Sequence, residues 1–415
     1  MKVSLINYSD INGGAARAAY RLHNALLQHD IESSMHVIQA KAGDWRVKGP
    51  TEKIEKVLAK VAPNLGDIVS NFLKTSNPNK HSPSIIPSTW CERLNNLDSD
   101  LIHLHWVNFE MLSIASIGRI QKPVVWTLHD MWAFCGAEHY TEEFRWKKGY
   151  YKNNRPSYES GFDLNRWTWE RKIKHWKRPM NIVTPSNWLS KCVRQSALMY
   201  NWPVTVVPNP IDTSFWKPLD KRIARKILNL PPDVPLLLFG AIGGASDPRK
   251  GFDLLKKALE FLKEIIPGLE LIIFGSLSPC IEPILSFPQH YTGHLHDDIS
   301  QRILYSAADA MIIPSRQDNL PNTGVEALSC GTPVIAFNTC GMPDIVEHHQ
   351  TGYLANAFDV EDLAKGIQWV FSDALRYKLL SHNAREKAVQ CFSFSKVIQQ
   401  YLNVYEESIM NYSKF

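Results

Sequence analysis

Short, near-continuous apolar runs alternate with helix-length amphipathic segments along this chain, and they do so in two successive series. In the first, Val3-Ser4-Leu5-Ile6 reads as a buried strand and the stretch from Ala15 to Gln28 as a helix. Further strands are predicted from Ser34 to Ile38, Leu101 to His105, Val124 to Leu128 and Met180 to Thr184. The second series predicts strands from Pro235 to Gly240, Leu269 to Gly275, His290 to Gly293, Ala310 to Pro314 and Pro333 to Phe337. Its helices run from Phe252 to Leu262 and from Asn322 to Ser329. A strand that is apolar on every residue is buried on both faces, which is the condition of a parallel sheet covered by helices. The predicted fold class is therefore α/β, with two doubly wound Rossmann-like domains. The carboxyl ends of their strands would line a central cleft.

A strand stops at two prolines in Val206-Val207-Pro208-Asn209-Pro210-Ile211-Asp212, and a new amphipathic segment begins after Trp216. The expected boundary follows: residues 1–212 form the first domain and 213–391 the second. The length of 415 residues suits two independent cores. A net charge of +5 fits an anionic substrate or a membrane surface and is too small to indicate nucleic acid, which is not an expected partner. The seven cysteines are scattered without a C-x-x-C pair, so neither a zinc knuckle nor a disulfide framework is indicated. The opening MKVSLINYSD lacks the long apolar core of a signal peptide, and no apolar run is long enough to span a bilayer. A cytoplasmic protein, at most peripheral at the inner face of the membrane, is the expectation.

One run is specific in its order: Pro314-Ser315-Arg316-Gln317-Asp318-Asn319-Leu320-Pro321-Asn322-Thr323-Gly324-Val325-Glu326-Ala327-Leu328, continuing through Cys330-Gly331-Thr332-Pro333-Val334-Ile335-Ala336. This resembles the retaining glycosyltransferases of family four, which have the GT-B fold. Their pattern is proline-serine, an acidic residue, a glutamate eight positions on, then a small-Gly-x-Pro-Val-Ile turn. Here the first acid is Asp318, one methylene shorter than the family's usual Glu. Weaker matches come in the family's order: Asn12-Gly13-Gly14-Ala15, Leu128-His129-Asp130, Val207-Pro208-Asn209 with Asp212, and Lys250-Gly251. Pro210 stands where glycine is usual, and Arg249 adjoins the lysine instead of preceding it by several residues. Cys135-Gly136-Ala137-Glu138-His139-Tyr140 keeps fragments of a cysteine cluster, and no metal is expected there. The resemblance implies a final helix that crosses back, so residues 392–415 are assigned to the first domain.

A nucleotide-sugar donor presents a diphosphate whose leaving charge grows in the transition state, so the site must supply positive potential. The one Asp-x-Asp triplet, Asp98-Ser99-Asp100, precedes a strand and so lies at the wrong end of it. Cations and backbone N–H groups are expected to do this work, with no metal and no other cofactor. Asn319, Leu320, Asn322, Thr323 and Gly324 form the predicted donor loop: Asn322 or Thr323 would cap a helix, and Gly324 would permit close backbone approach. Glu326, expected in the first turn, would accept from ribose hydroxyls, and Asp318 would face the donor sugar. Arg249 and Lys250, in the loop from Ala245, would neutralise phosphate. Gly13 and Gly14 follow a strand and open a helix, where a backbone can approach the reacting groups. Arg17 could add charge.

By resemblance, His129 would bond a donor sugar hydroxyl and share the catalytic role with Asp318 and Glu326, while Asp130 orients the loop. His103 reads as structural, and His105 as an acceptor-side candidate. No carboxylate stands out as a covalent nucleophile, and the resemblance implies front-face substitution assisted by the departing phosphate. The expected reaction is retaining transfer from a nucleotide sugar to a glycan or lipid-pyrophosphate acceptor, in surface polysaccharide synthesis. A non-catalytic nucleotide-sugar-binding subunit and a nucleotide-sugar epimerase of the same architecture are the alternatives. Residues 145–178 interleave basic residues with Trp146, Trp167, Trp169 and Trp176. This pattern serves an anionic membrane surface, a grip on a lipid-pyrophosphate acceptor, stacking on bases or sugars, or a helix that packs its tryptophans on the sheet.

Overall fold

The computed structural model describes residues 1–240, 247–275, 287–295 and 297–412. The strands are, in chain order, β1 (Lys2–Ser9), β2 (Glu32–Gln39), β3 (Val47–Lys48), β4 (Leu73–Lys74), β5 (Leu101–Leu104), β6 (Val124–Thr127), β7 (Ser160–Gly161), β8 (Asn181–Thr184) and β9 (Val204–Val206). They are followed by β10 (Leu236–Gly240), β11 (Glu270–Phe274), β12 (Gln289–Gly293), β13 (Ala310–Ile313), β14 (Val334–Phe337) and β15 (Gly352–Ala355). The chain divides into two compact units, Met1–Pro208 with Val397–Phe415, and Asn209–Lys396.

In the first unit the sheet order is β3-β2-β1-β5-β6-β8-β9, all parallel, with β4 and β7 forming a separate antiparallel ribbon. The second unit has the order β12-β11-β10-β13-β14-β15, again parallel throughout. Each is the doubly wound order in which the direction of winding reverses beside the first strand. That switch lies between β1 and β5 in one unit and between β10 and β13 in the other.

The apolar runs behave as two-faced strands. Along β10, Leu236 and Leu238 enter one core while Leu237 and Phe239 enter the core on the opposite face. Val334 and Ala336 of β14 face the first of these, and Ile335 and Phe337 the second. On β5, Ile102 and Leu104 pack with Ile6, Trp126 and Ile182. The opposite face carries His103, fully buried, whose Nδ1 lies 2.8 Å from the Tyr405 hydroxyl and whose Nε2 lies 2.8 Å from Thr127 Oγ1. Tyr401 bonds the same Thr127 at 3.1 Å. Both tyrosines belong to the final helix, Phe394–Tyr412, which is thereby pinned to the first unit's sheet.

Helix α1 (Gly14–Gln28) forms from an alanine-rich stretch of high helical propensity and buries Ala16, Ala19, Leu22 and Leu26. Helix α2 (Lys53–Ser70) carries Pro63 in its interior. Asp98 and Asp100 are occupied at the foot of β1: Asp98 pairs with the Lys2 ammonium at 2.8 Å, and Asp100 accepts the Lys2 N–H at 2.7 Å.

In residues 145–178, Trp146, Trp169 and Trp176 are buried in the unit, together with Arg145 and Lys172. Lys172 Nζ donates to the carbonyls of Trp132, Cys135 and Gly136 and lies 4.0 Å from the centre of the Trp132 ring. Burial pushes its ammonium down to about 7. The packing alternative therefore accounts for these tryptophans, because aromatic faces and a snug carbonyl cage leave them no solvent to face.

Candidate functional site

In the second unit, two loops leave the sheet on either side of its switch point. After β10 the described chain resumes at Asp247, whose carboxylate caps a short 3-10 turn, Pro248–Lys250. Gly251 follows with φ 67°, and a Cβ there would stand 1.9 Å from the Pro314 carbonyl oxygen at the end of β13. The close approach holds Lys250 beside the β13 loop, and its Nζ lies 2.5 Å from Asp318 Oδ2. Lys250, Asp318, Pro321 and Thr323 line a small cavity over the ends of β10 and β13, of about 10 Å³, the room of one water molecule.

The donor loop departs from expectation in three details. The helix Asn322–Ser329 begins after Pro321, which occupies the cap position without a side-chain bond, so neither Asn322 nor Thr323 caps it. Glu326 is the fifth helical residue and therefore lies in the second turn. It is only 2% exposed, and Tyr305 donates its hydroxyl proton to Glu326 Oε2 at 2.8 Å. Gly324 faces inward: a Cβ would come within 3.0 Å of Ile313 and 3.1 Å of Ile345, so its missing side chain serves helix–strand packing. Asn319 is buried and donates its N–H to Asp318 Oδ1, and Leu320 joins the core. Asn209 Nδ2 donates to Asn322 Oδ1 at 3.1 Å, tying the first residue of this unit to the loop.

Arg249 turns to Asp247, with a guanidinium–carboxylate contact of 2.7 Å. Ala245 and Ser246, which the sequence reading places in the same loop, lie outside the described residues. Arg316 makes a two-pronged bond to Asp253 at 2.7 and 2.6 Å and so braces the two loops against each other. Neither Tyr305 nor Arg316 was singled out by sequence. Tyr305 could be found only by knowing which helix lies behind Glu326.

In the first unit, Gly13 caps α1 with φ 91° and ψ 166°, a conformation open only to glycine, and a Cβ there would touch nothing within 4 Å. Gly14 is the first helical residue, and Arg17 donates its N–H to the Gly13 carbonyl. The buried Asp10 carboxylate, overlooked by sequence, accepts the N–H groups of Ile11, Lys41 and Ala42 and ties the loop after β1 to the loop after β2.

His129 lies two residues beyond the end of β6. Its Nε2 is 3.0 Å from His105 Nδ1, and the His105 ring lies tilted 4.2 Å from that of His103. Burial pushes His129 down to about 4 and His103 to about 3, so both rings are neutral near pH 7. Burial opposes ionisation of Asp130, yet bonds from His139 at 2.6 Å, the Trp132 N–H and the Trp106 indole outweigh it and hold the carboxyl below its ordinary range. Asp130 thus organises the loop, with His139 anchored in turn by Ser82 at 2.8 Å.

The residues divide between the units: Gly13, Gly14 and His129 in the first, and Arg249, Lys250, Asp318, Asn319, Leu320, Asn322, Thr323, Gly324 and Glu326 in the second. A family model described as Glycosyltransferase Family 4 matches residues 12–215, and one described as Glycosyl transferases group 1 matches residues 220–387. A D-inositol 3-phosphate glycosyltransferase of Saccharomonospora viridis is 29% identical over 220 residues, 49% of this chain and 50% of the relative. The chain spans about half the length of the curated relatives it matches. Among solved structures, sucrose-phosphate synthase from Thermosynechococcus elongatus aligns with a TM-score of 0.66 and 18% identity over 98% of each chain. Anabaena HepE, solved in complex with UDP and glucose, aligns with a TM-score of 0.66 and 18% identity over 98% of this chain and 100% of HepE. At that identity the likeness is one of fold.

Proposed function

We propose a reaction from one premise: this chain belongs to the glycosyltransferases of the family four type, with a Family 4 domain followed by a group 1 domain. It moves a sugar from a nucleotide-sugar donor to a glycan or lipid-linked acceptor, with retention of anomeric configuration and without a metal ion, in surface polysaccharide synthesis. The observation that carries this reading is the convergence of Lys250, Asp318 and Thr323 at the switch point of the second sheet, beside the start of the helix Asn322–Ser329.

The chemistry follows from that convergence. The ammonium of Lys250 and the N–H groups at the helix start offer fixed positive potential to a diphosphate, strongest as its charge grows on departure. Arg249 would contribute only by leaving Asp247. Glu326, aimed by Tyr305, accepts from the ribose hydroxyls, and Asp318 accepts from hydroxyls of the donor sugar. Neutral His129 exchanges a hydrogen bond with a sugar hydroxyl and adds no competing cation. The acceptor hydroxyl oxygen forms its bond to the anomeric carbon as the bond from that carbon to the diphosphate oxygen breaks. The departing diphosphate takes the hydroxyl proton, so the products are the glycoside and a nucleoside diphosphate.

The test is thermal stabilisation by UDP-, GDP-, ADP- and TDP-sugars, with and without EDTA, alongside release of nucleoside diphosphate. A selective shift that survives EDTA and is lost in Glu326→Gln, with turnover in the wild type, supports the reading. Stabilisation without turnover under any acceptor would replace it with a non-catalytic binding subunit.

A further inference from the structure

We propose that the outer face of α2 docks the first unit on an anionic lipid bilayer. The inner side of this helix packs on the unit. Gly66 brings it against Glu110, since a Cβ at that position would meet the Glu110 side chain at 2.9 Å. The Glu110 carboxylate in turn accepts the N–H groups of Ser84, Ile85 and Ile86. Ala62 is buried on the same inner side. The helix therefore cannot roll to bury what remains outside.

What remains outside is apolar. Val57, Val61, Leu65 and Ile68 recur at helical spacing and are all exposed, Val57 at 59%. Phe72, 62% exposed, prolongs the stripe past the end of the helix. Its carbonyl accepts the Phe162 N–H across the β4–β7 ribbon, and Phe162 is exposed as well. Single exposed apolar residues are ordinary, but a continuous row of six is the signature of a surface that is covered in use.

The cover is identified by charge. At 100° per residue, Lys53, Lys56 and Lys60 fall on one flank of the stripe, and all three are exposed. Two of the acidic residues on the helix are engaged, Glu55 with Arg93 at 3.3 Å and Asp67 with Lys80 at 3.4 Å, which leaves Glu52 exposed beside three lysines. An apolar row edged by lysines matches acyl chains beneath anionic headgroups, to which each lysine near the surface adds attraction. The contact thus falls on α2 and Phe162, whereas Trp146, Trp169 and Trp176 are buried in the core.

The experiment is co-sedimentation of the full chain with phosphatidylcholine vesicles, with and without phosphatidylglycerol. It needs neither donor nor acceptor, so its failure is distinct from failure of the transfer reaction. Wild type should bind the anionic vesicles and release in high salt. Val57→Glu with Ile68→Glu should lower the bound-to-free ratio on the order of tenfold or more while leaving thermal unfolding unchanged. Lys53→Gln, Lys56→Gln and Lys60→Gln together should do the same, guarding against a folding defect in the first variant. Lys174→Gln with Lys177→Gln should bind as wild type. No binding by wild type, or full binding by the stripe variant, would overturn the proposal. So would a dimer in size-exclusion chromatography that the stripe variant converts to monomer, because a second copy would then be the cover.

Discussion

Lys250 Nζ stands 2.5 Å from Asp318 Oδ2, joining the loop after β10 to the loop after β13. In the proposed reaction these two residues are the cation for the diphosphate and the acid for the donor sugar, and in the structure they bond each other. A diphosphate must therefore compete with a carboxylate for the ammonium, and the sugar must take over the carboxylate that is released. Asp318→Asn should tighten binding of a free nucleoside diphosphate severalfold while lowering kcat/KM by about 10²-fold. Lys250→Ala should weaken the first and lower the second. Calorimetric titration with nucleoside diphosphate, set beside steady-state transfer rates, separates the two effects.

Gly251 and Gly268 both have positive φ, 67° and 74°, but their surroundings differ. A Cβ on Gly268 meets nothing within 4 Å, whereas one on Gly251 would overlap the Pro314 carbonyl oxygen. Gly268→Ala should cost about 1–2 kcal/mol, the left-handed penalty alone. Gly251→Ala should cost more than about 3 kcal/mol, since backbone must also move. Urea unfolding of the two variants gives the comparison, and equal midpoints would contradict it.

Acid should weaken the first unit. His23, His36 and His103 are buried, and burial lowers them to about 4, 3 and 3. An unfolded chain protonates the same rings near 6.5, so below that pH it binds more protons than the native state. Stability is then fully present above about pH 6.5 and falls as pH drops towards 4, by about 1.4 kcal/mol per pH unit for each such ring. Of the thirteen tryptophans, only Trp216 and Trp369 belong to the second unit, so indole fluorescence reports mainly on the first. Denaturant midpoints followed by fluorescence should fall steeply between pH 6.5 and 5.

Lys172→Met keeps the length of the stem but removes the donor from the carbonyls of Trp132, Cys135 and Gly136. Leaving buried carbonyls unpaired should cost about 3 kcal/mol or more. Lys174→Met, on the exposed side of the same helix, should change stability by less than about 0.5 kcal/mol. Because the same loop carries Asp130 and His139, only the first variant should also expose residues 131–139 to rapid hydrogen exchange.

The parallel strands were legible because burial on both faces writes an unbroken apolar run, as in Leu236-Leu237-Leu238-Phe239. β15 was not: Gly352-Tyr353-Leu354-Ala355 opens on glycine, and its two middle residues are only partly buried. Helix α2 was hidden by Pro63, a residue that normally marks a break. At the site, the family pattern picked out Lys250, Asp318 and Glu326, but their relations are tertiary. Nothing in the order of residues indicates that Lys250 and Asp318, 68 positions apart, pair with each other. The cap was misread because Asn322 and Thr323 are favoured cap types, whereas the chain turns into the helix at Pro321. Composition likewise cannot say which side of a tryptophan-rich helix meets the core.

The return of the final helix to Thr127 and His103 also sets an order of assembly. Every residue of the second unit leaves the ribosome before Tyr401 and Tyr405 do. The sheet of the first unit therefore waits, with a polar pair on an uncovered face, while the unit made after it can already close. During synthesis the later half should become resistant to protease first, and the earlier half only when its last stave arrives.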